Sequence, residues 1–382
     1  MKLRMGMIGG GEGSFIGPVH RMAARLDGMI ELVSGAFSSN PSVSEITGLR
    51  EGLPANRIYG NWQDMLHKER MLPEDERPHF IAIVTPNHLH YGPARMAMEY
   101  GFHVVCDKPL CMSVAEAIDL YDTVEEYNRL FCLTHNYTGY PMVKKARELV
   151  TGGEIGEIRK IAVEYFQGWL SSRVELSGNK QAEWRADPER AGIAGAMADI
   201  GTHAFNLAEY VSGLEVTELA ADLHSVIEGR RLDDDGNILL RFGNTATGTL
   251  LASQIALGEE NNLTVRVYGD KGSITWRQME PNSLLVRWFD KPMQIYRTAT
   301  TFNEMGSVGL VNSRLPAGHP EGFIEAFANV YRNFAAHINA TLEGRDQDSS
   351  LDYPGIEEGV RGMKFLEAAV DSSSGNSVWK TL

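Results

Sequence analysis

A short apolar run, residues 3–8, breaks into Gly9-Gly10-Gly11-Glu12-Gly13 and then Gly17-Pro18. Few features constrain a fold more. Glycines between an apolar strand and a helix let the chain turn sharply and bring its backbone close to another group. The helix that follows then presents free N–H groups and the positive end of its dipole. Residues 18–26 read as that helix, with Pro18 in a first turn whose N–H needs no partner. Gly9, Gly11 and Gly17 fit the three positions of a dinucleotide fingerprint, with three extra residues between the second and third, so the cradle is wider than usual. With Phe15 and Ile16 at the helix start, Gly9 and Gly11 are candidate contacts to a dinucleotide.

The strand–helix rhythm continues. Residues 31–37 read as a second strand, and residues 79–84 and 102–106 are further short β-branched runs suited to strands buried on both faces. Residues 92–100 and 113–128 read as helices between them. Such alternation predicts an α/β fold with a doubly wound parallel sheet, a Rossmann domain over residues 1–134. Beyond it the pattern changes. A glycine-rich turn at 151–160 leads into the strand run RKIAVEYFQ, and strand candidates crowd together at 216–226, 237–242, 246–255, 263–268, 273–277 and 284–289. Turn signals such as DDDGN and GDKG separate some of them. Helices are expected at 195–211, 321–342 and 355–371. Residues 135–382 therefore read as an α+β domain with a large open, mostly antiparallel sheet.

Bulk properties exclude several classes. The net charge is −14 with no basic block, which disfavours nucleic acid and anionic membrane as partners. No apolar run approaches the roughly 20 residues that span a bilayer, and the N-terminus lacks a signal-peptide pattern, so a cytoplasmic protein is expected. Cys106, Cys111 and Cys132 form no C-x-x-C pair, which argues against a zinc site or a disulfide framework. The histidine spacing suggests no catalytic metal.

Ligands of open α/β sheets bind beyond the carboxyl ends of the strands. Two motifs fall there: Thr85-Pro86-Asn87-His88-Leu89-His90 and Cys106-Asp107-Lys108-Pro109. Thr85, Pro86, Asn87 and His90 are candidate cofactor contacts. A lysine at such a position can stabilise a developing alkoxide. After the second strand stand Ser38 and Ser39, with neither an acid to grip a ribose 2′-hydroxyl nor a base for a 2′-phosphate. NAD and NADP both stay open, with a lean to NAD. Far downstream come Trp184-Arg185-Ala186-Asp187-Pro188 and Gly192-Ile193-Ala194-Gly195-Ala196-Met197-Ala198-Asp199-Ile200-Gly201-Thr202-His203. Asp199 and His203 lie four apart on an expected helix, so they share a face, and imidazole can move a hydroxyl proton near neutral pH. Gly192 and Gly195 suggest a close backbone approach. Asn136, Tyr137, Arg185 and His319 are candidate substrate ligands, Arg185 having Asp187 as an alternative partner. Phe166, Trp169 and Trp184 can stack on a sugar ring or fill a core.

Together these motifs resemble the Gfo/Idh/MocA oxidoreductases over nearly the whole chain. The resemblance rests on the glycine loop ending in G-x-x-H, on T-P-N-H-x-H, D-K-P, G-E-I-G-E-I, W-R-x-D-P and G-x-x-G-x-x-x-D-x-G-x-H. It implies NAD(P)-dependent hydride transfer between nicotinamide and a CH–OH group of a sugar, cyclitol or related polyol. It implies Lys108, Asp199 and His203 as the catalytic set, with Asp199 holding substrate or His203. It also implies a homodimer or homotetramer built through the C-terminal sheet. Asp107 stands where the family has glutamate, one methylene longer, at a position implied to reach the cofactor ribose. Two other activities are compatible with the same scaffold: an NAD-dependent glycosidase that oxidises, eliminates and reduces, and a cofactor-sensing protein without catalysis.

Overall fold

A computed structural model describes residues 2–243, 245–299 and 306–382, apart from the side chains of residue 180 and residues 306–308. Within it the chain divides into two compact units. Residues 1–134 and 327–360 form one, and residues 135–326 and 361–382 form the other.

The first unit is built on five parallel strands: β1 (Leu3–Gly9), β2 (Ile30–Ala36), β3 (Phe80–Val84), β4 (His103–Cys106) and β5 (Phe131–Leu133). Their order is β2-β1-β3-β4-β5. Every residue of β3 and β4 is buried, which explains their unbroken apolar character. Phe80 meets the edge of Phe334, ring centroids 5.6 Å apart, so part of the helix Phe323–Leu342 covers this sheet. The chain runs from β1 outward to β2, then crosses back so that β3 pairs with β1 on its other side. That reversal opens a crevice at the carboxyl ends of β1 and β3, where Gly9 and Thr85 stand. The crossover from β2 to β3 also carries helices Pro41–Arg50 and Trp62–Glu69, for which no periodic signal was read. The first buries Ser44, Thr47 and Gly48, small and polar residues that show no apolar stripe.

Among the described residues the second unit holds nine strands: β6 (Ile158–Phe166), β7 (Val216–His224), β8 (Asp235–Phe242), β9 (Thr247–Ser253), β10 (Asn262–Gly269), β11 (Gly272–Arg277), β12 (Ser283–Trp288), β13 (Gln294–Arg297) and β14 (Lys380–Thr381). They pair in the order β13-β12-β11-β10-β6-β9-β8-β7-β14. The sheet is antiparallel except where β6 runs parallel to β9. Helices Pro141–Thr151 and Thr202–Ser212 pack against strands of this sheet. The mixed architecture matches the expected fold class.

The glycine loop is tightly packed. A Cβ on Gly9 would stand 2.4 Å from the carbonyl oxygen of Val84, and one on Gly17 would stand 2.2 Å from that of Gly10. Backbone atoms cannot yield to such contacts. Gly17→Ala is therefore expected to cost about 1–3 kcal/mol and to lower the melting temperature by several degrees in a circular-dichroism melt. An unchanged melt would mean that the helix can stand off from β1 without loss.

Candidate active site

In the first unit the glycine loop is anchored at several points. The backbone of Gly11 donates to the carbonyl of Phe37 at 3.0 Å, and a Cβ on Gly11 would lie 2.7 Å from that oxygen. The extra residues of the widened loop are tied to helix 41–50: the Glu12 N–H donates to Thr47 Oγ1, and the Glu12 carboxylate pairs with Arg50 at 2.6 Å. Arg21 donates to the Gly10 carbonyl at 2.8 Å. The helix runs Ile16–Leu26, slightly longer than read, and Phe15 at its cap is 67 % exposed. Ser38 is half-buried and Ser39 exposed, just beyond β2. Thr85 and Pro86 are half-buried and Asn87 is buried beyond β3, at the crevice.

His90 needs a correction as a cofactor contact. Its ring is fully buried, with Nε2 2.9 Å from the Thr85 carbonyl and Nδ1 2.8 Å from the Pro109 carbonyl. The ring sits between the loop after β3 and the loop after β4, and in its neutral form its single N–H donates to one of the two carbonyls. Burial lowers its pKa, against the opposing pull of Asp107 and the two carbonyls.

The Lys108–Pro109 peptide is cis. Asp107 Oδ1 accepts from the Lys108 N–H at 3.0 Å and from Thr134 Oγ1 at 2.7 Å. Its Oδ2 faces His20 Nε2 at 3.9 Å, and His20 Nδ1 meets the Tyr331 hydroxyl at 2.7 Å. Burial pushes the Asp107 carboxyl upward, but His20, Lys108 and Thr134 outweigh it and hold the group below the usual carboxylate range. Asp107 thus stays ionised behind Lys108. The histidine closing the glycine motif is one of its supports.

In the second unit Asp199 and His203 sit where an α-helix was expected from residue 195. The structure has a π-helical turn, Met197–Gly201, before the α-helix Thr202–Ser212. Such turns are rare and recur at functional sites. Asp233 holds this one: its carboxylate accepts from Gly195 N–H at 2.6 Å and Met197 N–H at 2.7 Å, while its carbonyl accepts from Ala196 N–H. A Cβ on Gly195 would stand 2.2 Å from that carbonyl oxygen, which accounts for the glycine. Burial raises the Asp233 pKa to about 6, although both N–H donors oppose the shift.

Asp199 Oδ2 accepts from Arg185 Nε at 3.1 Å and from Gln254 Nε2 at 2.8 Å. Arg185 therefore joins Asp199, and Asp187 instead caps helix Pro188–Ala191 and pairs with Arg231 at 3.2 Å. His203 is 8 % exposed, with its Nδ1 3.3 Å from His135 Nδ1 and its ring edge-on to Tyr137 at 4.8 Å. Tyr165 donates to Asn261 Oδ1, so Tyr137 is the donor in its 2.5 Å contact with the Tyr165 hydroxyl. Asn261 Nδ2 donates back to Tyr137, and Gln167 Nε2 donates to Asn261 Oδ1. Burial raises both tyrosine pKa values, so both phenols remain donors. Asn136 is buried, and its Nδ2 has no hydrogen-bond partner among the described residues. His319 is exposed with Nδ1 on the Pro316 carbonyl, and no described contact joins it to this network. Trp169 Nε1 donates to Gln167, while Trp184 lies under the Arg185 guanidinium.

Gln254, Gln167, Asn261, Tyr165 and Asp233 carried no readable signal of a role. Asp233 opens the run DDDGN, whose composition signals a turn. Among the described residues, no group of three or more His, Cys, Asp or Glu is placed to hold a metal ion. The three cysteines are buried free thiols. No helix among the described residues is long and apolar enough to cross a membrane.

Residues 3–137 match the model of the oxidoreductase family with the NAD-binding Rossmann fold, and residues 143–275 match that of the GFO/IDH/MocA C-terminal domain. An oxidoreductase from Sinorhizobium meliloti is 43 % identical, with a TM-score of 0.90, covering 100 % of this chain and 99 % of its own. An inositol dehydrogenase homolog from Azotobacter vinelandii, complexed with NAD+, is 32 % identical with a TM-score of 0.94, covering 100 % and 98 %. Levoglucosan dehydrogenase of Pseudarthrobacter phenanthrenivorans is 29 % identical over 74 % of this chain and 76 % of its own.

The Asp233 contacts generate a prediction. In Asp233→Asn one acceptor oxygen becomes an NH2 group facing an N–H. The loss is expected to be about 1–3 kcal/mol in stability. It should also lower kcat/KM by about tenfold or more, the same free energy read at the turn that carries Asp199, with dinucleotide affinity in a fluorescence titration unchanged. Full activity would mean that the turn is held by other bonds.

Proposed function

Because the chain belongs to the Gfo/Idh/MocA oxidoreductase family, with its NAD-binding Rossmann domain, we propose that it moves a hydride between nicotinamide and a secondary alcohol or ketone of a sugar or cyclitol. One observation carries the reading. A buried imidazole, His203, stands four residues after a carboxylate, Asp199, that Arg185 and Gln254 hold in place. This is a base beside a fixed acceptor for substrate hydroxyls. The Azotobacter vinelandii homolog, also known complexed with NADH and myo-inositol, and levoglucosan dehydrogenase, known complexed with NADH and levoglucosan, support the substrate class.

The residues present fit a dinucleotide. A Cβ would fill the cradle at Gly9, Gly11 and Gly17, and the helix N-terminus at Phe15 and Ile16 suits a pyrophosphate. Ser38 and Ser39 would meet the adenosine ribose. The absence of a cationic side chain from the stretch Phe37-Ser38-Ser39-Asn40 favours NAD over NADP. Thr85, Pro86, Asn87 and Asp107 would line the nicotinamide half. When bound, the nicotinamide supplies the hydride acceptor for oxidation and the hydride donor for reduction.

The chain's own residues do the rest. His203 takes the hydroxyl proton in oxidation and returns it in reduction. The Lys108 ammonium stabilises negative charge on the same oxygen. Asp199 accepts a hydrogen bond from a substrate hydroxyl, and Asn136, Tyr137 and Arg185 bind further oxygens. Asn136 Nδ2 is suited to this as a buried donor without a described partner.

The test is a screen of the purified protein with NAD and NADP against myo-inositol, levoglucosan and aldoses, following absorbance at the NADH band. Lys108→Ala and His203→Ala are each expected to lose about 10²–10⁴-fold in kcat with NAD still bound. Unchanged turnover in both variants would remove the roles given to them. Turnover of a glycoside without net NADH would point to the elimination chemistry instead.

The proposal extends to assembly. On β8, Asn237, Leu239 and Arg241 alternate outward, Leu239 being 53 % exposed. Nearby, Trp379 is 39 % exposed, with the Arg241 guanidinium 3.9 Å over its ring. An apolar patch on an open sheet is suited to a second copy of the chain. Leu239→Glu is expected to shift a dimer or tetramer toward monomer in light scattering. An unshifted mass would place the interface elsewhere.

A further inference from the structure

We propose that His135 is the positioning residue for His203, and that it fixes the tautomer in which His203 can act as a base. This rests on the reading of His203 as the base. The two Nδ1 atoms lie 3.3 Å apart, with ring planes at 81° and both residues buried. A neutral imidazole carries one N–H, so within this pair one ring donates and the other accepts. If His203 holds its proton on Nδ1, its Nε2 lone pair is left to take a hydroxyl proton, and His135 is the Nε2–H tautomer. The opposite assignment puts the proton of His203 on Nε2 and leaves it no basic nitrogen toward a substrate. Only the first suits the chemistry.

The hydrogen bond survives the whole proton cycle. When Nε2 gains a proton, Nδ1–H still donates to His135, and when the proton leaves, the starting tautomer is restored. An aspartate is the usual group to orient an imidazole. Here Asp199 Oδ2 is engaged by Arg185 and Gln254, whereas His203 Nδ1 faces His135. Tyr137 and Tyr165, whose rings also lie beside His203, are phenols that burial keeps protonated. His135 is itself held: its carbonyl accepts from Thr138 N–H and Oγ1 at the start of the 3-10 turn Asn136–Gly139. A Cβ on Gly139 would stand 2.1 Å from the Ala326 carbonyl oxygen, which closes that turn against its surroundings.

The first test needs no substrate. In 15N-histidine-labelled enzyme, long-range 1H–15N correlation spectra should show His203 protonated at Nδ1 and His135 protonated at Nε2, each assigned by its absence from the His203→Gln or His135→Asn spectrum. The second is kinetic. His135→Asn keeps an oxygen that can accept the Nδ1 proton and should retain kcat within about tenfold. His135→Leu removes the acceptor at similar volume and should lose about a hundredfold in kcat with little change in KM. A His203 protonated at Nε2 in the resting enzyme, or equal kcat for folded His135→Asn and His135→Leu, would overturn the proposal. Those results leave the base assignment intact so long as His203→Ala is inactive. An active His203→Ala would instead remove the base assignment, and the proposal with it.

Discussion

The carbonyl oxygen of Val84 lies where a side chain on Gly9 would have to stand. Much of the first unit follows from that contact. It is possible because β3 pairs directly with β1 after the chain has gone out to β2 and returned. The reversal leaves the carboxyl ends of β1 and β3 as a bare backbone crevice, and the contacts of Gly11 with Phe37 and of Gly17 with Gly10 floor it. Any side chain at these points would push the helix off the sheet or fill the space where a ligand backbone-binds.

The two units use carboxylates differently. Asp107 stays ionised because His20, Lys108 and Thr134 offset the cost of burial. Asp233 is pushed up to about 6, because two N–H groups do not fully offset the same cost. Asp233 acts on geometry, by clamping a π turn that presents Asp199. Asp199 is clamped in turn by Arg185 and Gln254. Fixed polar groups thus hold Asp107 and Asp199, and two of the histidines are likewise set among polar partners: His90 lies between the carbonyls of two loops, while His135 meets His203.

The buried parallel strands were readable because burial on both faces writes continuous apolar runs into the chain. The hairpins of the second sheet were readable from turn residues. Helices 41–50 and 62–69 were not, the first because small and polar residues fill its buried face. The π turn was not, since Asp199 and His203 have the same spacing whether one turn is α or π. His90 was misread for a related reason. A histidine beside a crevice looks the same in sequence whether its ring points into the crevice or into the protein.

Residue order alone therefore settled the glycine loop after an apolar strand, the alternation that yields a parallel sheet, and the motifs at strand ends that identify the family. Those features depend on neighbours a few residues apart. The partners of the polar side chains could come only from the folded chain: Arg185 with Asp199 and not Asp187, Gln254 with the same oxygen, His135 with His203, and residues 327–360 with the first sheet. A hydrogen bond is set by distance and angle between atoms that folding brings together from far along the chain, and local pattern holds no record of which distant group arrives.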